Sequence, residues 1–102
     1  MTHDIAFVPE VEEDVMAGFT WYEQKDRGLG EEFLRLFYAC VNEIPRNPFL
    51  YPLVYQDFRR QLVRRFPYAT YFRIEKNMVV IVGLFHCARN PVSIYNILNG
   101  RE

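Results

Sequence analysis

The stretch ATYFRIEKNMVVIVGLFH, residues 69 to 86, decides how this chain is read. Tyr71, Phe72, Ile74 and the run from Val79 to Val82 are aromatic and β-branched residues that suit a pleated, half-buried surface. Lys76 and Asn77 interrupt them with the spacing of a tight hairpin turn. The pattern predicts antiparallel strands over 69 to 75 and 78 to 86, with a further strand over 58 to 64 feeding into them. A sheet of this kind buries one face, so the remaining sequence has to supply a cover.

The N-terminal half supplies it. Val11, Val15, Phe19 and Tyr22 recur at steps of four, four and three, one face of a helix over about residues 10 to 26, with glutamates in its first turn as the dipole prefers. Gly28 and Gly30 bracket a corner, after which Phe33, Phe37, Cys40, Val41 and Ile44 mark a second amphipathic helix that stops near Pro45 and Pro48. A short strand over 4 to 8 precedes both. NPFLYP, residues 47 to 52, reads as a loop, and an irregular tail is expected from Pro91. The order β-α-α-β-β-β gives an α+β fold: an antiparallel helical hairpin packed on a twisted, mainly antiparallel sheet. At 102 residues it is one domain, 1 to 102, long enough to bury a core without staples.

Net charge is −1, but the sum hides a segregation. Residues 1 to 34 carry nine acids against two bases, and residues 35 to 102 carry ten bases against four acids, so −7 and +6 make up the −1. One surface suited to anions and another suited to cations follow from this split. Cys40 and Cys87 have no ligand spacing and read as reduced thiols; neither a metal site nor a cofactor is expected. No apolar run reaches the ~18 residues of a membrane span and the N-terminus has no signal pattern, so a cytoplasmic protein without membrane contact is expected.

The basic half concentrates its charge in RRQLVRR, residues 59 to 65. In a strand the side chains alternate, so Arg60 and Arg64 point one way and Arg59 and Arg65 the other. Two readings stand side by side. The arginines guard an edge strand and pair with the acidic first helix, or, with Arg73 and Arg89, they form a phosphate-binding concavity of planar guanidinium forks. Arginine outnumbers lysine ten to two, which favours geometric recognition. His86, at the end of the last strand and three residues before Arg89, is either a packing residue or a proton carrier for phosphodiester chemistry. Tyr95, six residues past Arg89, is able to approach the same end of the sheet.

Five segments in this order, FVPEVEEDV, WYEQKDRGLGEEFL, NPFLYP, RRQLVRRFPYATYFRIE and VVIVGLFHCARNP, resemble the RelE/ParE superfamily, the toxins of type II toxin-antitoxin modules, also called plasmid stabilisation proteins. The resemblance implies a helical hairpin on an antiparallel sheet and an antitoxin partner that wraps the toxin. RelE-like members are endoribonucleases that cut messenger RNA on the ribosome, and the resemblance makes this the first expectation, with the other readings as alternatives. On that implication His86, Arg65, Arg89 and Tyr95 form the catalytic set, while Arg59, Arg60, Arg64 and Arg73 hold phosphate. ParE-like members instead inhibit DNA gyrase by binding, with no catalytic set. The sequence lacks the lysine cluster of many RelE-type nucleases, having only Lys25 and Lys76. It leaves an inactive relative open as well, and Tyr51 and Tyr55 raise self-association as a homodimer beside a toxin-antitoxin hetero-oligomer.

Overall fold

The computed structural model describes residues 3–101. Strand β1 (Asp4–Phe7) leads into helices α1 (Glu10–Lys25) and α2 (Leu29–Val41), then two single 3-10 turns (Ile44–Arg46 and Pro48–Leu50). Strands β2 (Leu53–Tyr55), β3 (Phe58–Leu62), β4 (Tyr68–Glu75) and β5 (Met78–His86) follow, and helix α3 (Pro91–Asn99) closes the chain. The five strands form one sheet in the order β1-β5-β4-β3-β2. β1 runs parallel to β5 and all other pairs are antiparallel.

The central hairpin forms as its residue types predict. β4 and β5 join through Lys76, which takes the left-handed conformation (φ 55°), and Glu75 pairs with Met78 across the turn. The helical hairpin is set by a second turn. Gly28 has φ 88°, a conformation that costs a residue with a Cβ, and the Glu23 carboxylate accepts the amides of Gly28 (3.0 Å) and Gly30 (3.0 Å). Those amides are among the donors that a helix start leaves without partners, so α1 caps α2.

Alternation divides the sheet between two covers. On the hairpin side lie Gln61, Thr70, Phe72, Val79 and Ile81; Gln61 donates from Nε2 to the Cys40 carbonyl of α2 (2.6 Å). Phe33, Phe37, Val41, Phe72 and Ile81 are fully buried there, a cluster that accounts for much of the apolar stabilisation at ~1.5–3 kcal/mol per large side chain.

Two elements differ from the sequence reading. The expected tail from Pro91 is helix α3: Pro91 stands in its first turn, the Asn90 side chain accepts from the Val92 amide (2.8 Å), and Ile94 and Leu98 are buried against the sheet face opposite the hairpin. Between the loop read over 47 to 52 and the strand expected from 58 lies β2, three residues whose pairing to β3 is broken by a register shift between Leu53 and Tyr55. The order is thus β-α-α-β-β-β-β-α, and β3 ends at Leu62 rather than at residue 64.

Candidate functional site

The face away from the hairpin is built from short rows across three strands. Arg60 of β3 lies opposite Tyr71 of β4, which lies opposite Gly83 of β5; Leu62, Ala69 and Phe85 make the next row. Between Tyr71 and Phe72 the register shifts, so β5 carries one extra residue, Val82. Without that bulge Phe85 would face the hairpin, because a one-residue shift exchanges the faces of every later side chain.

The floor of this face is apolar and aromatic. Ala69, Tyr71 and Phe85 are buried, with the Tyr71 and Phe85 rings 5.9 Å apart. Burial raises the Tyr71 hydroxyl above its usual range, and the Arg60 guanidinium across the ladder offsets part of that rise. Arg89 lies over the Phe85 ring at 5.2 Å. Arg60 and Arg89 are exposed and, among the described residues, neither has a carboxylate partner. Two free guanidiniums bordering an aromatic floor can hold an anionic or planar group.

Three of the other four proposed arginines lie away from this face, and the fourth, Arg73, is paired on it. Arg59 turns to the hairpin side, donates to the carbonyls of Tyr51 (2.7 Å) and Phe49 (3.4 Å), and lies over the Phe49 ring. Arg64 is bound by Glu43 (2.9 Å), a hydrogen bond that raises its pKa. Arg73 pairs with Glu75 along its own strand. Arg65 sits in the β3–β4 turn with φ 70° and lines a hollow with Tyr22, Asp26 and Phe66. Of these four only Arg73, two residues on from Tyr71, lies on the face that holds Arg60, where it borders a hollow with Arg101, and no carboxylate of α1 binds any of the eight proposed site residues.

His86 points to the hairpin side, opposite Tyr68, with their rings edge to face at 5.3 Å. Its Nδ1 accepts the Ala88 amide (3.0 Å), which leaves Nε2 as the outward nitrogen. A hollow of about 150 Å³ brings His86 together with Arg89 and Asp14. Tyr95 is not part of it. The ring of Tyr95 stacks on Tyr55 (4.3 Å, 2°) and its hydroxyl donates to the Val54 carbonyl, on the other face and beside β2.

Sequence reasoning did not single out Arg101 or Asp14. β1 covers β5 only as far as Ile81, so the outer edge of β5 beyond it is open. Asp14 of α1 accepts the Leu84 amide there (3.1 Å), Arg101 donates to the Val82 carbonyl (3.0 Å), and the two side chains bind each other at 2.6 and 3.0 Å. Arg101 also lies over Phe85 at 5.3 Å, and a Cβ at Gly83 would meet the Phe85 ring at 2.5 Å and Arg101 at 3.3 Å, so the glycine makes room first for the ring and then for the guanidinium. The Arg101 pKa is raised, first by its hydrogen bonds to Asp14.

No protein-family model and no curated protein matches the sequence. Solved structures do. A chain of the chromosomal ParDE TA system from P. aeruginosa superposes with a TM-score of 0.72 at 14% identity, covering 83% of this chain and 96% of that one. A chain of the toxin-antitoxin complex RelBE2 from Mycobacterium tuberculosis gives 0.58 at 17% identity, covering 87% and 95%. Nearly the whole length of each is therefore matched, and this chain shares the fold of both.

Proposed function

We propose that the chain is the toxin of a type II toxin-antitoxin module and that it acts by binding a macromolecular target, as a ParE-like inhibitor of DNA gyrase, until an antitoxin covers it. The toxin reading is supported by the match over nearly the full length of chains from ParDE and RelBE2, both from toxin-antitoxin systems. The observation that carries the binding reading is the division of the proposed catalytic groups. His86 lies on the hairpin side, Tyr95 on the opposite face, and Arg65 in a separate hollow. General acid-base cleavage of a phosphodiester requires such groups within hydrogen-bond reach of one reacting centre. The exposed Arg60 and Arg89 around an aromatic floor suit recognition instead.

The second reading, a ribosome-dependent messenger RNA endoribonuclease, is favoured by one observation: His86 and Arg89 share a hollow, with the outward imidazole nitrogen free of protein partners. Expression without antitoxin separates the two. The binding reading expects growth arrest with an SOS response, gyrase-linked DNA breaks and intact transcripts. Arg60→Ala and Arg89→Ala lose toxicity at a stability cost under ~1 kcal/mol, while His86→Ala stays toxic. Cuts within translated codons that vanish in His86→Ala overturn it in favour of the nuclease, and unimpaired growth overturns the toxin assignment itself.

A further inference from the structure

The connection between the helical hairpin and the sheet leaves apolar groups in water. Phe49 is 61% exposed, Leu50 75% and Leu53 55%. Phe49 and Leu53 also line a hollow of about 300 Å³ at the β2 edge of the sheet, with Ile74 as its remaining apolar wall and Gln56, Asp57 and Arg59 as its polar wall, and Leu50 follows Phe49 in the same 3-10 turn. Tyr51 and Tyr55, the aromatics that the sequence offered for self-association, are half-buried, with Tyr55 stacked on Tyr95. The surface that self-association would use is therefore a different one.

We infer that this patch is an isologous contact between two copies of the chain, with Leu50 of each copy entering the hollow of the other. Three features favour a second copy as the occupant. A protruding side chain beside a hollow of the same apolar chemistry is self-complementary, which a two-fold axis requires. The charge at the hollow balances, because Asp57 and Arg59 both line it and Arg59 is turned onto the carbonyls of Tyr51 and Phe49, so two copies approach without a like-charged cluster.

Area is the third feature. At about 200 Å² for a fully exposed large side chain, the three residues leave roughly 350 Å² of apolar surface per copy, within the range of the largest patch on a soluble monomer. Two copies bring together roughly 700 Å². Because an interface is about 60% apolar, the closed contact buries on the order of 1,200 Å² in total, the lower limit of a specific interface. A contact at this lower limit is expected to be reversible, with monomer and dimer exchanging on dilution.

Sedimentation of the full chain, freed of any co-expressed partner, from roughly 1 to 500 µM tests this directly. The expected result is a mass rising toward twice the monomer, with dilution-dependent amide shifts confined to residues 49 to 53 and the hollow. Leu50→Glu and Phe49→Glu both change exposed positions, so folding is retained. Each weakens the dimer by at least about thirtyfold with melting temperature unchanged. A monomer at every concentration overturns the inference, as does a dimer that persists in both variants. A patch that loses antitoxin capture in Leu50→Glu while the free chain stays monomeric reassigns it to the antitoxin.

Discussion

Replacing Asp14 with alanine should be among the most damaging single changes outside the apolar core, for a reason that lies at the β5 edge. The carboxylate accepts the Leu84 amide at 3.1 Å and both guanidinium nitrogens of Arg101 at 2.6 and 3.0 Å, and the two side chains are only 10% and 14% exposed. Removal leaves a largely buried cation without its counter-ion and a strand amide without an acceptor. Breaking a buried pair from one side costs ~3–5 kcal/mol, and an orphaned amide ~1–3 kcal/mol. Residual solvent access at Arg101 favours the lower end, for a total of about 4 kcal/mol.

Against a domain stability of ~5–15 kcal/mol, that loss lowers the melting temperature by roughly 16–32 °C. Arg101→Ala should cost less, ~2 kcal/mol, because Asp14 keeps the Leu84 amide. The double variant should fall short of the sum by ~1–3 kcal/mol, the signature of a shared interaction. Urea titrations of the four proteins measure all three quantities. A cost under ~1 kcal/mol for Asp14→Ala, or strict additivity, refutes the claim that this pair closes the open strand edge.

Two further outcomes test the turn and the buried phenols. Glu23→Ala removes the acceptor of the Gly28 and Gly30 amides and should cost ~1–2 kcal/mol in the same titration, with Glu23→Gln recovering part of it. Burial raises the hydroxyls of Tyr22, Tyr68 and Tyr71 above the ordinary 10.0, so above that pH the unfolded chain releases protons that the folded chain retains. Stability should therefore be insensitive to these groups below pH 10 and fall as pH rises from 10 through their folded-state values; equilibrium unfolding that shows no loss there contradicts the burial assigned to them.

The hairpin of helices and the β4–β5 hairpin were legible because each carries its own period over many residues, 3.6 along Phe33, Phe37 and Val41 and the β-rich run around the Lys76 turn. β2 escaped detection because three residues hold no period, and it exists only through its pairing to β3. α3 had a signal that went unread: Asn90 before Pro91 is a helix start, and Ile94 and Leu98 stand four apart. The Asp14–Arg101 pair had none, since the partners are 87 residues apart and neither motif nor spacing links them.

The candidate site shows the same division between local and tertiary information. RRQLVRR looks like one cationic cluster when written as a line, yet a strand sends neighbouring side chains to opposite faces, so Arg59 and Arg60 must separate as soon as β3 forms. Beyond Leu62 the strand gives way to a turn, which takes Arg64 to Glu43 and Arg65 to the hollow beside Tyr22. What gathers charge on the outer face is instead the bulge at Val82. By shifting β5 one residue it brings Phe85 to the face that holds Arg60, and Phe85 carries Arg89 and Arg101 above its ring. Arg73 lies on the same face, but it is bound to Glu75 as Arg101 is to Asp14, which leaves Arg60 and Arg89 as the pair whose charge is available to a target.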